Sequence, residues 1–198
     1  MRPLKRLFDL VFAALGLVLC SPLFATVALL IKLRDRGPVF YKQQRVGWHG
    51  KPFRMWKFRT MVVNADKLGK SLTIGRDPRI TPVGHFLRQT KLDELPQLIN
   101  VLRGEMSFVG PRPEVEEYVR LYTPEQAQVL DLRPGITDPA SIKYRNESEI
   151  LATHADPEQA YISEIMPEKI RLNLEYGARA NVLTDLLVIV RTLARLAG

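Results

Sequence analysis

Cysteine is almost missing from this chain: Cys20 is the one thiol in 198 residues. An intramolecular disulfide is therefore excluded, and with it a small stapled secreted scaffold. Histidine is nearly as scarce; His49, His85 and His154 stand singly, without the His/Cys spacing of a zinc site. No glycine-rich dinucleotide fingerprint, P-loop or serine nucleophile elbow occurs. Acid is scarce at one end: residues 1–60 carry 12 Lys/Arg against only Asp9 and Asp35, while the remainder carries 17 against 19. The basic end is thus the end suited to lipid or phosphate. Hydrophobic residues make up 46% of the chain, which excludes disorder, and the length suffices for one domain with a real core.

Charge is also absent from Leu10 to Ile31, a run of 22 residues that could cross a bilayer as one helix. Two features argue for a bent, re-entrant pair instead. Arg2, Lys5 and Arg6 precede the run and Lys32, Arg34 and Arg36 follow it, so the positive-inside tendency draws both ends to the cytoplasmic side. Ser21-Pro22 lies near the middle, where proline removes a helical hydrogen bond and the serine hydroxyl can satisfy the freed carbonyl. A kinked spanning helix stays open as an alternative. A cleaved signal peptide fits less well, because the run is long, lacks a small-x-small site and leads into a second basic cluster.

Beyond the run, Val39-Phe40-Tyr41 and Phe53 to Met61 flank the turn-rich Gly47-Trp48-His49-Gly50, which predicts a β-hairpin. Period two then places Lys57 and Arg59 on one face of the second strand and Trp56 and Phe58 on the other. A cationic edge that only blunts strand pairing is an equally good local reading. Residues 64–82, with Gly69, Gly75 and two prolines, read as a loop leading into a helix that ends near Lys91.

The most informative segment runs from Arg88 to Pro113. Leu95, Leu98, Ile99 and Leu102 form one apolar helical stripe and Gly104 follows at a stop position, predicting a helix from about Glu94 to about Arg103. Pro96 then falls in the first turn, which makes Asp93 the expected N-cap, ionised beside the positive end of the helix dipole. A lone Asp-Glu pair is most simply a cap and an exposed acid. Here the flanking Arg88 and the proline-bracketed Arg112 are pre-fixed guanidinium groups suited to phosphate.

Downstream, Thr123-Pro124-Glu125-Gln126 and Asp156-Pro157-Glu158-Gln159 are helix-opening patterns, and Pro167 is expected to interrupt the second. Asn181 to Leu196 predicts a final amphipathic helix with Leu183, Leu186, Leu187, Val190, Leu193 and Ala194 as its stripe, serving either core packing or a membrane interface.

Five motifs in order, Lys57-Phe58-Arg59-Thr60-Met61, Leu92-Asp93-Glu94-Leu95-Pro96-Gln97, Arg103-Gly104-Glu105-Met106-Ser107, Val109-Gly110-Pro111-Arg112-Pro113 and Arg133-Pro134-Gly135-Ile136-Thr137, carry a family resemblance. The chain resembles the bacterial sugar transferases, small monotopic polyprenyl-phosphate phosphoglycosyl transferases, firmly over residues 1–150 and loosely beyond. The Asp138-Pro139-Ala140-Ser141 continuation departs from the glycine-and-tryptophan version of many longer members, so no residue is carried over past Thr137. The resemblance implies an α+β, mostly helical fold: a re-entrant membrane hairpin bent at Ser21 and Pro22 (residues 1–36), then a cytoplasmic-face catalytic domain (residues 37–198) with a short β-hairpin and interfacial helices. It also implies a reaction. A UDP-sugar would donate its sugar phosphate to Asp93, releasing UMP, and a polyprenyl phosphate would accept it from the covalent intermediate. Glu94, about 100° further round the helix, would share a metal or assist proton movement. Mg²⁺ is the expected cofactor, with Asp93 its protein ligand, and Lys57, Arg59, Arg88 and Arg112 would hold phosphate oxygens. Membrane lipid is an expected partner and nucleic acid is not; homo-oligomerisation stays open. The competing classes are a metal-dependent glycosyl transferase releasing UDP and a non-catalytic adaptor binding anionic lipid.

Overall fold

The computed structural model describes residues 3–68 and 77–197, so Arg2, Gly69 and Gly75 lie outside the described residues. The apolar run folds as two helices, α1 (Pro3–Leu19) and α2 (Ser21–Asp35), bent by 58° at Cys20. No single described helix is long and apolar enough to cross a membrane; this bent pair is, by length and composition. The bend follows from covalent chemistry. Pro22 has no N–H for the Val18 carbonyl one turn earlier, and the Ser21 hydroxyl donates to that carbonyl at 2.8 Å.

One face of α1 is buried, and it is polar at its base. Lys5, Asp9 and Ala13 recur at helical spacing and are all buried. Lys5 donates to the Val109 carbonyl at 3.0 Å and pairs with Asp185, while Asp9 accepts from Ser107 Oγ and the Phe108 N–H, both at 3.1 Å. Arg6 donates to the Val101 and Leu102 carbonyls at 2.6 and 2.9 Å. Lys5 and Arg6, expected as free basic flanks for lipid, are thus spent on protein contacts: their donors meet buried acceptors that would otherwise go unpaired. Lys32, Arg34 and Arg36 are exposed.

The β-hairpin forms from β1 (Phe40–Val46) and β2 (Pro52–Phe58), antiparallel, with Phe40 opposite Phe58 and Val46 opposite Pro52. Phe58 is buried with Val27, Ile31 and Leu87, which joins α2, the hairpin and the next helix in one cluster. That helix, α3 (Pro82–Gln89), is capped by Thr81, whose hydroxyl accepts the Gly84 N–H at 3.0 Å. A 3₁₀ turn, Leu92–Gln97, leads into α4 (Leu98–Arg103), which ends at Gly104 with φ of 78°. The helix therefore starts two residues before its predicted start, and Asp93 is inside the first turn instead of capping it. The N-cap position belongs to Lys91, in the left-handed region at φ 58°. The buried stripe is also shifted, with Val101 at its centre beside Leu98, Met55, Met106 and Ala13.

Two short strands, β3 (Ser107–Val109) and β4 (Gly135–Thr137), pair in parallel, Ser107 with Gly135 and Val109 with Thr137. Between them lie α5 (Glu116–Val119) and α6 (Pro124–Ala127), the latter with the predicted reciprocal Thr123–Gln126 capping box. The remainder is helical: α7 (Pro139–Lys143), α8 (Glu147–Ala152), α9 (Pro157–Ala160), α10 (Met166–Arg179) and α11 (Val182–Ala197). Pro167 does not interrupt the chain's helical path: a π turn at Tyr161–Ile165 runs directly into α10, and Pro167 lies in the first turn of that helix. In α11 the predicted apolar stripe faces outward: Leu183, Leu187, Val190 and Leu193 are more than half exposed, whereas Asp185 and Val188 are buried. The core-packing reading of that stripe fails. The described residues are mostly helical with a short β-hairpin, as expected, and add a small parallel sheet that was not.

Close approach fixes α3 against the strand exit. A Cβ built on Gly84 would lie 1.9 Å from the Thr60 carbonyl oxygen, so no side chain fits there without moving backbone. Gly84→Ala is expected to destabilise the protein by about 2 kcal/mol or more, measured by denaturant unfolding; an unchanged midpoint would show that α3 does not need this contact.

Candidate active site

A cavity of about 770 Å³ is lined by Lys57, Arg88, Asp93, Glu94 and Arg112. Four separate pieces of chain bring these side chains together. Lys57 comes from β2, Arg88 from α3, the acid pair from the 3₁₀ turn and Arg112 from the loop after β3. The turn is held on β2 by Asn100, whose amide accepts from the Trp56 N–H at 2.9 Å and donates to the Arg54 carbonyl at 2.8 Å. Nothing in the sequence pattern singled out Asn100, since a lone buried amide leaves no periodic trace.

The two adjacent acids have opposite environments. Both Glu94 oxygens accept from Arg112, at 2.6 and 3.1 Å, and Lys57 Nζ lies 3.3 Å from Oε1. Burial pushes the Glu94 carboxyl up, but Arg112 and Lys57 more than offset it and hold the group well below the usual carboxylate range. Glu94 is therefore a fixed anion with both oxygens taken, which does not suit it to share a metal or pass a proton. Asp93 is only 5% exposed, and its Oδ1 has no hydrogen-bond partner. Burial raises its pKa against the opposing pull of Lys57, and the neighbouring Glu94 charge raises it further. The cap-stabilised carboxylate expected from the sequence is thus replaced by a buried acid with lone pairs to spare. Of the pair, Asp93 alone has an oxygen without a hydrogen-bond partner among the described residues. Among the described residues no group of three or more His, Cys, Asp or Glu could enclose a metal.

The cations also divide. Lys57 is half-buried, and its burial lowers its pKa to about 8 despite the Glu94 charge. Arg112 is fixed by Glu94, which raises its already high pKa. Among the described residues Arg88 donates no side-chain hydrogen bond, and the Asp93 charge favours its cation against the burial that lowers its pKa. Arg59 does not line the cavity. Its guanidinium packs on Gly37, where a Cβ would lie 1.7 Å from Nη1, and its three nitrogens find no partner. The expected alternation does put Arg59 on the Lys57 side, but Arg59 follows the end of β2, so its side chain is directed at the end of the α2 segment instead. Arg45, Lys91, Tyr161 and Arg145 line the cavity as well and were not anticipated. Arg45 could be found only from the strand register, and Tyr161 only from the π turn.

A family model for bacterial sugar transferases matches residues 1–198. The chain is 42% identical over 199 residues to the UDP-glucose:undecaprenyl-phosphate glucose-1-phosphate transferase of Escherichia coli, covering 96% of this chain and 39% of that protein. It is 35% identical to the exopolysaccharide production protein ExoY of Sinorhizobium fredii, covering 96% of this chain and 83% of that one. An undecaprenyl-phosphate galactose phosphotransferase of Salmonella typhimurium is 43% identical over 162 residues, 74% of this chain and 34% of that protein. The chain belongs to the bacterial sugar transferase family, and it spans well under half the length of the Escherichia coli and Salmonella relatives.

Glu94→Gln keeps the shape of the side chain but leaves two half-buried cations facing a neutral amide. The expected loss is about 3 kcal/mol of unfolding free energy, read by denaturant titration; a loss within error of zero would mean that solvent already compensates Arg112 and Lys57.

Proposed function

We propose that this bacterial sugar transferase moves a sugar 1-phosphate from a UDP-sugar to a membrane polyprenyl phosphate and releases UMP. The observation that carries this reading is the unpartnered, buried Asp93 oxygen, set in a cavity whose cations outnumber its acids. The names of the relatives agree with the donor and acceptor classes. In the first step an Asp93 oxygen attacks the phosphorus that bears the sugar; the bond from that phosphorus to the bridging oxygen breaks, and UMP departs with the electron pair. In the second, an oxygen of the lipid phosphate attacks the same phosphorus and the Asp93 carboxylate is regenerated. Neither step needs a proton from Glu94. Lys57, Arg112 and Arg88 would neutralise the phosphate oxygens, with Glu94 as the anchor that keeps the first two in place.

Mg²⁺ fits this residue set only as a partner of the substrate. Asp93 would be its protein ligand, with substrate phosphate and water as the others, the usual manner for an ion that seldom sits in an all-protein cage. Bound there, it would offset charge developing on the diphosphate.

For the membrane, the reading is a re-entrant hairpin dipping into the cytoplasmic leaflet. The bend at Ser21 and Pro22, the exposed Leu15, Val18, Leu19 and Leu33 and the outward stripe of α11 support it. Labelling single cysteines at positions 2 and 36 is expected to find both on the cytoplasmic side, and opposite sides would replace the hairpin by a spanning helix.

Nucleotide release from a panel of UDP-sugars, in nanodiscs with Mg²⁺ and a polyprenyl phosphate, tests the reaction. UMP is expected; UDP would mean that only the sugar moves. Asp93→Asn should lower turnover on the order of 10³-fold or more with membrane association kept, and unchanged turnover would remove Asp93 as nucleophile.

The reaction should also be pH-sensitive through Lys57. Its cation is lost as pH rises through about 8, so kcat/KM for the donor, which reports the free enzyme, should fall on that alkaline limb. Lys57→Arg keeps the charge and should move the limb upward; a limb that stays put would assign it to another group.

A further inference from the structure

The cavity has two unlike walls. On one side Arg45 donates through Nη1 to Glu114 at 3.0 Å and the Tyr161 hydroxyl donates to the same carboxylate, so both Glu114 oxygens are taken, while Arg45 Nε is buried without a partner among the described residues. On the other, β4, α7 and α11 supply Ile136, Ile142, Ile189 and Leu193, with two guanidinium groups, Arg145 and Arg195, among them. Leu193 lines the cavity and is also 60% exposed, in register with Leu186 and Val190 on the outer stripe of α11. The cavity therefore opens sideways onto an uncovered apolar face. That face adjoins α1, which packs against α11 and carries its own exposed leucines.

The two arginines are available for an anion. Among the described residues Arg195 makes no side-chain hydrogen bond, and Arg145 gives one N–H to the Arg195 carbonyl, capping the end of α11, and makes no other. Guanidinium groups set in an apolar wall that leads out to an apolar surface match one kind of ligand: an amphiphile with a phosphate head and a hydrocarbon tail. A nucleotide does not need the tail path, and a free phosphate does not need the apolar wall.

We infer that Arg145 and Arg195 form the subsite for the phosphate of the lipid acceptor, which enters past Leu193 from the apolar face of α11. The inference rests on the transfer reading above and divides the cavity's cations: Lys57, Arg88 and Arg112 surround Asp93, and the Arg145–Arg195 pair receives the second substrate. The acceptor arrives as an anion that must approach a phosphorus already carrying negative oxygens. Two positive groups behind it reduce that repulsion while one of its oxygens bonds to the phosphorus and the bond to Asp93 breaks.

The two half-reactions separate the roles. In nanodiscs of fixed phospholipid composition, a UMP burst without acceptor reads the first step, and turnover against polyprenyl phosphate concentration reads the second. Arg195→Ala and the double variant Arg145→Ala/Arg195→Ala are expected to raise KM for polyprenyl phosphate about tenfold or more while the burst amplitude is kept. Arg195→Ala leaves the Arg145 cap on α11 intact, so it reads the subsite even where the double variant does not fold. Leu193→Asp should raise the same KM with both guanidinium groups present. A short-chain isoprenyl phosphate should compete with the acceptor, and inorganic phosphate at the same concentration should not; equal competition by both would make this a general phosphate site and overturn the lipid assignment. An unchanged KM in the two arginine variants overturns it too, as does a burst that falls in step with turnover, which would place the arginines on the donor. Absence of any UMP burst from the wild type on the full donor panel is a different failure, since it removes the transfer reading itself.

Discussion

The Glu94 carboxylate between Arg112 and Lys57 is the interaction on which the rest of the site depends. It joins β2, the 3₁₀ turn and the loop after β3, which are far apart in the chain, through charges that are partly removed from water. Buried charges are tolerable only when paired and hydrogen-bonded, so the three segments have one arrangement that satisfies them. The pairing also explains why two acids stand side by side. A carboxylate that holds cations has no lone pair for attack, and one that attacks must not be locked in a bidentate pair. Glu94 takes the cations, and Asp93 keeps an open oxygen within their field.

The turn that carries Asp93 is also held from behind. Arg6 of α1 donates to the Val101 and Leu102 carbonyls, and Arg133 donates to the Gly104 carbonyl, so the unpaired acceptors at the end of α4 are filled by guanidinium groups from two other segments. Lys5 and Asp9 add directional bonds to β3 and its neighbours. An apolar helix surface alone would let α1 slide; hydrogen bonds to named carbonyls and amides fix its register. The height and tilt of the hairpin are thereby coupled to the helix whose other end bears the acid pair.

How much of this could be read from the sequence depended on the range of the interaction. The proline bend was legible down to the Ser21 hydroxyl, because the missing donor and its replacement are adjacent in the chain. The β-hairpin and the Thr123 and Asp156 caps were legible for the same reason: turn residues and capping pairs are local. The site residues Lys57, Arg88, Asp93, Glu94 and Arg112 were picked out by charge and motif, and they do meet around one cavity. What was not legible was their division of labour. Asp93 was expected to cap the helix as an ionised carboxylate and Glu94 to share a metal or assist proton movement, yet the Glu94 pairs span 18 and 37 positions and leave no pattern in the sequence. Arg59 fails as a cavity residue on similar grounds: alternation gives the side of a strand but not where the strand ends. The short β3–β4 pair, three residues each, is below the length at which period two can be seen.

The same long-range contacts bear on how the bent pair meets a membrane. Its beginning is tied to the catalytic body by Lys5 on Val109 and Asp185 and by Arg6 on α4. Its end is tied there too, because Val27 and Ile31 of α2 pack on Phe58 and Leu87, and the chain enters β1 at Phe40 soon after α2 stops at Asp35. Both ends of the pair thus pack against one body. The exposed leucines near its bend can still enter one leaflet, as the exposed stripe of α11 can lie along that leaflet's surface. This supports the re-entrant reading proposed above, and it does so independently of the basic flanks, two of which turn out to be structural. The same anchoring that would keep the hairpin shallow would also hold Asp93 at a fixed depth, which a lipid-borne acceptor requires and a soluble donor does not.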